Sequence, residues 1–442
     1  MENSRGQQHV QQILQSVVRQ LDPRKQVSDA LELDGEDRLR VSGVSSTVPC
    51  IGKLIVVAVG KASIPMAAGA LDALGDRVSE SLAITKSGIE SPFQPPESLT
   101  VMEADHPVPE QSSLAAGAAV RELVDGLGAD DVVLMLISGG GSALLEDLVD
   151  GVSLDDLQQA TDHMLRAGAT INELNAVRRR ISRLKGGRLA RLAAPATVVN
   201  LIVSDVLNSP LQDIASGPTV EPPEVDETFA AVMRRPELVN DLPESIRAVL
   251  DAQSAEREPW TDNVAGTVIL SDAETAARAA IDTAVGLGYH IQTVGYDFQG
   301  EAREFGRMIG TMSRHATRHR KAFDLPIALI GAGEMTVTVR GNGVGGRNTE
   351  MSLAAAREIA GIDNVTICSF ATDGDDGLSQ CAGGVVDGGT LDRLHEAGID
   401  LEATLANSDS ATALRSVAAT IDFGPTGTNV NDIYLALIQA PS

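Results

Sequence analysis

The sequence predicts an α/β protein of two domains, each a sheet covered by helices. Three observations predict it. Short apolar, β-branched runs alternate with helical runs along the chain, the pattern of βα units. Several of these runs end in glycine turns that open a helix, at residues 60–63, 138–142 and 341–347. A length of 442 residues is enough for two full cores. Both sheets are expected to be largely parallel, with the domains at 1–260 and 261–442.

Residues 8–34 read as a helix leading into a polar turn. Residues 54–59 (LIVVAV) make a strand buried on both faces, followed by Gly60, Lys61, Ala62, Ser63 and a helix over 66–74. Strands follow at 81–85 and 99–103, the second ending in Asp105, His106, Pro107. A helix then starts near Ser112, its expected N-cap. Residues 132–137 give the clearest buried strand, ending in Ser138, Gly139, Gly140, Gly141, Ser142. Helices over 154–167 and 171–184 precede a strand at 198–203 that ends in Ser204, Asp205. Residues 221–263, rich in proline and acids, read as the crossover between domains.

The second half gives a strand at 267–270, a helix over 273–287, a strand at 291–294 and a helix over 302–318. An apolar run, 327–330, then feeds a glycine turn holding Glu334, and 336–340 reads as a strand. A glycine hairpin delivers Arg347 and Asn348 to the start of a helix. A strand at 365–371 ends in TDGDDG, residues 372–377. The tail GPTGTNVND, 424–432, leads into a last strand at 433–438.

Composition narrows the function. The net charge of -26 makes nucleic-acid backbones and anionic membranes poor partners. Three cysteines without CxxC spacing argue against a disulfide framework or a zinc site. No apolar stretch approaches the ~18 residues of a membrane span, and the first residues lack a signal core. A soluble, cytoplasmic protein is expected. Six lysines against 29 arginines on so acidic a chain suit a salt-rich cytoplasm; biased codon usage is the alternative. Salt screens self-repulsion, so the melting temperature is expected to rise with KCl; a steady fall would refute the salt-adapted reading.

The chemistry-bearing residues cluster at strand ends, where ligands of open α/β sheets bind. The turn from Ser138 through Gly139, Gly140 and Gly141 to Ser142 can form an anion nest at a helix start; a turn needing glycine for sterics alone is the alternative. Lys61 at the neighbouring turn can reach a phosphate as a point charge. Arg178 and Lys185, seven apart, are expected to share a helix side and meet a substrate anion, although charge runs are ordinarily solvated. Asp205, Asp373, Asp375 and Asp376 follow strands and can bind Mg²⁺ or accept a proton from a hydroxyl; singly, aspartates in turns are usually caps. His106 is expected to be structural or to act behind the site. A nicotinamide-dependent reductase needs GxGxxG after the first strand, and this turn reads GKAS.

Together these strings resemble the glycerate 2-kinase family, the two-domain kinases with a C-terminal MOFRL domain. The matching strings are VVAVGKAS, DHPVPE, LISGGGSALLE, INELNAVRRRISRLKGGRLA, VSDV, IASGPT, TVTVRGNGVGGRNTE, ATDGDDG and GPTGTNVND, in order from about residue 55 to 432. The resemblance implies a Rossmann-like N-terminal domain, a smaller C-terminal domain, and a site in the cleft between them. It implies phosphorylation of D-glycerate with ATP and Mg²⁺, usually to 2-phosphoglycerate. Family lysine and arginine positions match Lys61 and Arg347; family acids match Asp205 and Asp373. These four are the expected catalytic residues. Asp205, Asp373 and Asp376 are the expected metal ligands. The expected binding set is the 138–142 turn, Arg178, Lys185, Glu334, Asn348, Thr428 and Asn429. The chain departs from the family at Ala332, where glycine is common, and in LNSPLQD after Asp205. A homodimer is one assembly left open. An NAD(P)-dependent hydroxypyruvate reductase and a non-catalytic sugar-acid or nucleotide binder remain the alternative functions.

Overall fold

The computed structural model describes residues 4–88, 93–253, 260–319 and 323–440. The chain forms two compact units, Pro23–Leu270 and Met1–Asp22 with Ser271–Ser442. This departs from the expected 1–260 and 261–442 division at its N-terminal end. Helix Arg5–Gln20 carries Val10, Ile13, Leu14 and Val17 on one buried face and starts with a Ser4–Gln7 capping box. It packs in the second unit: Gln7 Nε2 donates to Asp387 (3.1 Å), and His9 bonds the Tyr289 hydroxyl (2.9 Å). A Cβ on Gly6 would lie 2.1 Å from Thr366 Oγ1, so only glycine permits this approach.

The unit Pro23–Leu270 opens with helix Pro23–Ala30 and a small antiparallel sheet of β1 (Leu31–Leu33), β2 (Arg38–Val41) and β3 (Val48–Pro49). Its main sheet holds β4 (Leu54–Val59), β5 (Glu80–Lys86), β6 (Thr100–Ala104), β7 (Val132–Ile137), β8 (Thr197–Val203) and β9 (Val264–Ser271). The spatial order is β6-β5-β4-β7-β8-β9. The β4–β5, β4–β7, β5–β6 and β7–β8 pairings are all parallel. This is the doubly wound order, with its switch point between β4 and β7. Every residue of β4 and β7 is buried, which is why both read as unbroken apolar runs.

The expected crossover, 221–263, instead belongs largely to this unit. It folds into short helices Glu227–Val232, Pro236–Val239 and Glu244–Asp251. These bury Phe229, Val232, Leu238, Ile246 and Leu250 against Leu157, Met164, Leu174 and Val177 of the two helices Leu154–Arg166 and Ile171–Ile181. Prolines and acids masked an apolar stripe spread over three brief helices. Ser112 does not cap its helix; Glu110 is the N-cap of Gln111–Val124, and the Ser112 hydroxyl donates to Asp105 (2.7 Å).

The second unit's sheet holds β10 (His290–Glu301), β11 (Ile327–Thr336), β12 (Val365–Ala371), β13 (Gly383–Asp387), β14 (Thr420–Ile421) and β15 (Asp432–Ile438), in the order β10-β11-β15-β12-β13-β14. It is mixed, contrary to the largely parallel sheet expected. Only β10 and β11 pair in parallel; β15 lies antiparallel between β11 and β12, and β13 is antiparallel to both its neighbours. The β11–helix–β12 crossover that suggested parallel neighbours is real, but a strand from the tail is inserted between its two strands.

The expected break between 330 and 336 is also absent. β11 runs straight through Gly331 and Gly333. A Cβ on Gly333 would lie 2.3 Å from the Phe298 carbonyl oxygen, so this glycine serves close approach of β10, whose register shifts there, and not a turn. The strand expected at 336–340 is the end of β11 followed by irregular chain.

Candidate active site

In the first unit the turns after β4 and β7 are locked together. Lys61 N–H donates to the Gly139 carbonyl (2.9 Å), and Ala62 N–H to Ser138 Oγ (3.0 Å). Gly60 has φ 121, and a Cβ there would lie 2.4 Å from the Ser138 carbonyl oxygen. Only glycine satisfies both demands. The Lys61 side chain, half-buried, therefore stands beside the Gly139–Gly141 backbone at the switch point.

Three further groups close on that backbone. A Cβ on Gly139 would lie 2.0 Å from Asp205 Oδ2, so the carboxylate at the end of β8 rests on this glycine. A Cβ on Gly140 would lie 3.2 Å from His106 Cδ2 and 3.7 Å from Lys61 Cγ. Ser142 and Ser216 hydroxyls share a hydrogen bond (2.9 Å), and Ser216 reaches Asn175 (3.4 Å) on helix Ile171–Ile181. The serines of the turn are thus braces that hold the glycine backbone in place.

That helix sorts its arginines. Arg179 pairs with Asp213 and Asp226 (both 3.3 Å). Arg180 lies 3.7 Å from Asp226 and stacks over Phe229 at 4.4 Å. Arg178 is 6% exposed, its Nε is buried without a hydrogen-bond partner, and it makes no ion pair with a described residue. Burial pulls its pKa below the usual arginine value, with the Glu146 carboxylate opposing. A buried, unmatched guanidinium is costly unless an anion arrives to match it.

Lys185 is the correction here. The helix ends at Ile181, so Lys185 does not share its periodic face with Arg178. Its ammonium is buried (1% exposed) and donates to Glu146 (2.7 Å) and the Leu145 carbonyl (2.7 Å). It belongs to a buried ion pair, with no ammonium presented to an incoming anion.

In the second unit Arg347 opens helix Arg347–Glu358 and is embedded in carboxylates. Its Nε and Nη2 donate to the two oxygens of Asp432 (2.5 and 3.0 Å), and Nη1 donates to Glu334 (3.1 Å). Three of the five guanidinium N–H donors are engaged, leaving two. Burial works against its charge, but Asp432 and Glu334 outweigh it and hold the guanidinium above its usual range. Asp432 is fully buried, and burial pushes its carboxyl up to about 7 against the pull of Arg347. Arg347, Glu334 and the glycines of 343–346 line a cavity of about 710 Å³, with Met335, Glu350 and Leu378 also on its wall.

Asp376, expected as a metal ligand, is a helix cap. Its Oδ1 accepts from Asn348 N–H (2.9 Å) and its Oδ2 from Thr349 N–H and hydroxyl (2.8 and 2.9 Å). Asn348 is buried and holds Asp376 through its own Nδ2 (3.2 Å), so it too is structural. Asp373, at the end of β12, accepts from Asp375 N–H (3.0 Å). The 372–377 and 424–431 segments brace each other: Thr372 Oγ1 donates to the Asn431 carbonyl (2.7 Å) and accepts from Val430 N–H (2.9 Å). Thr428 Oγ1 and Asn431 Nδ2 are buried there without hydrogen-bond partners; Asn429 accepts from Asn431 N–H (3.3 Å).

Among the described residues no three His, Cys, Asp or Glu side chains gather as a metal cage, and no helix is long and apolar enough to cross a membrane. All three cysteines are buried and unpaired. Sequence reasoning missed Asp432, the anchor of Arg347, and Asn431; both stand in the TNVND string, but their partners lie far away in the chain.

A doubly wound unit with a lysine at its switch point, linked to a second α/β unit, defines a two-domain α/β protein. The comparisons give that class a family. Residues 9–251 match a domain of unknown function (DUF4147), and residues 327–432 match the MOFRL family. The chain is 38% identical to the D-glycerate 2-kinase of Thermotoga maritima, over 89% of this chain and 93% of that one. It is 39% identical to a putative hydroxypyruvate reductase of Agrobacterium vitis, over 88% and 87%. The crystal structure of the glycerate kinase from Thermotoga maritima superimposes with a TM-score of 0.86 at 35% identity, covering 98% of this chain and 99% of that one. The chain belongs to the glycerate 2-kinase family.

Proposed function

We propose that this protein transfers the terminal phosphoryl group of ATP to D-glycerate, giving 2-phosphoglycerate and ADP. The observation that carries the reading is Arg178, a buried guanidinium with an orphaned Nε, on a helix tied through Asn175 and Ser216 to Ser142 of the glycine turn. Phosphoryl transfer asks the protein mainly for positioning and charge neutralisation. Lys61 stabilises the transferring group. Arg178 and the two remaining donors of Arg347 hold carboxylate or phosphate oxygens. Asp205 and Asp373 are the residues that would hold Mg²⁺, and one of them orients the acceptor hydroxyl. Bound Mg²⁺ would neutralise charge on the phosphate oxygens, and it commonly uses only one or two protein carboxylates.

The GKAS turn after β4 lacks the glycine spacing of a dinucleotide fingerprint, which separates this reading from a hydroxypyruvate reductase. Incubation of the protein with D-glycerate and either Mg-ATP or NAD, with ³¹P and ¹³C NMR of the products, tests both. The expected result is a phosphomonoester on the 2-hydroxyl with ATP and no reaction with NAD. Activity is expected to vanish in excess EDTA and return with Mg²⁺; full activity in EDTA would overturn the metal requirement.

A further inference from the structure

His106 follows β6 and is used by nothing derived above, yet it forms part of the same wall as Lys61. Its ring packs on Gly140, at the point where a Cβ would also meet the Lys61 side chain. The segment carrying it is tied down on both sides. Asp105 is held by Ser112 (2.7 Å), and the Pro109 carbonyl accepts from Gln158 Nε2 (2.9 Å). The ring is half-buried and cannot be dismissed as a solvated surface histidine.

The charged groups acting on the ring are Lys61 from the turn after β4, Lys86 at the end of β5, and Arg178 from helix Ile171–Ile181. All three are cations; the Asp205 carboxylate rests on Gly139, one residue along the turn from the glycine under the ring. The adjacent carboxylate, Asp105, is engaged with Ser112. Burial and these cations push the imidazole down to about 4, so it is neutral in the free protein. An oxyanion entering beside Lys61 and Arg178 reverses the sign of the local field.

Resting on the kinase reading, we propose that His106 is a third anion-contacting group of this site and takes up a proton when the anion binds. In the free protein a charged ring would repel Lys61 and Arg178. In the complex it would offer two N–H donors to an oxyanion, one of them gained with the proton. The anion is a carboxylate or a phosphate; D-glycerate carries the first and ATP the second, and the two can be tested apart.

The test is NMR titration of ¹⁵N-histidine-labelled protein from pH 4.5 to 8, free, with D-glycerate, and with the non-hydrolysable analogue AMP-PNP plus Mg²⁺. His106→Gln serves to assign the signal. The expected result is that one ligand raises the His106 pKa by about two units or more, from about 4 to 6 or above, so that the ring takes up a proton within the range of the titration. That ligand then identifies the anion. Its Kd is expected to tighten from pH 8 to pH 6 in the wild type and to lose that slope in His106→Gln. Calorimetric binding of both ligands with an unmoved His106 signal would overturn the proposal and leave the kinase reading standing. Failure of either ligand to bind would bring down the kinase reading and the proposal with it. The wild-type signal is itself the readout, so the outcome does not depend on the variant folding.

Discussion

Lys61→Ala and Arg347→Ala are each expected to lower kcat/KM by about 10²–10³-fold, the range for removing one preorganised donor to a developing charge. The double variant is expected to cost far less than the product of the two losses, because residues that act as a unit fail together. Lys61 stands on the turn after β4 in the first unit, and Arg347 opens a helix in the second. Two cations belonging to unrelated solvated surfaces would instead give small and multiplicative effects. Arg347 needs a control, since its removal leaves buried Asp432 unmatched. Arg347→Lys keeps the charge but loses the fork that grips both Asp432 oxygens, and is expected to fold while remaining impaired. Near-wild-type turnover in either well-folded single variant would show that the chemistry lies elsewhere.

Glu146→Ala is expected to destabilise the protein by about 3–5 kcal/mol, the cost of leaving one member of a buried ion pair alone. The Glu146 and Lys185 side chains are 0% and 2% exposed and meet at 2.7 Å. Lys185→Ala is expected to cost a similar amount. Replacing both with apolar residues, Glu146→Leu with Lys185→Met, is expected to recover most of the loss, since the desolvation of both charges disappears with them. Thermal melts of the three variants check the stabilities. The decisive measurement is kcat/KM in the folded double variant. A value within about tenfold of wild type fits a structural pair. A loss of several orders of magnitude would return Lys185 to the anion-binding set.

Lys185 shows where sequence reading stops. The run of basic residues from Arg178 to Lys185 was legible as a cluster, and within it Arg178 is buried with its Nε unpartnered. What the chain could not reveal was which charges were already matched. Asp213, Asp226 and Glu146 each lie more than 30 residues from the base they neutralise. Asp376 failed for the same reason: a carboxylate after a strand looks the same whether it faces a ligand or caps a helix 28 residues upstream. Conversely, β4, β7 and their glycine turns were read correctly, because burial on both faces and a close backbone approach leave local marks on composition. The mixed sheet was not. Alternation of strand and helix gives the order of elements in the chain but not their order in space, and β15 entering between β11 and β12 changes no local residue pattern.

That insertion sets the timetable of folding during synthesis. Residues 23–270 contain every strand of their own sheet and can consolidate while the ribosome is still at work, as domains generally do. The other unit has its opening helix near the start of the chain and a central strand near residue 438. At ~10 residues per second the apolar face of Arg5–Gln20 emerges roughly 40 s before its sheet can close. Until then Val10, Ile13, Leu14 and Val17 are exposed on a nascent chain, a natural site for a chaperone to hold. A chain released before residue 432 would lack both the strand that joins β11 to β12 and the Asp432 that anchors Arg347. Premature termination in the tail therefore disables the fold and the site in one step.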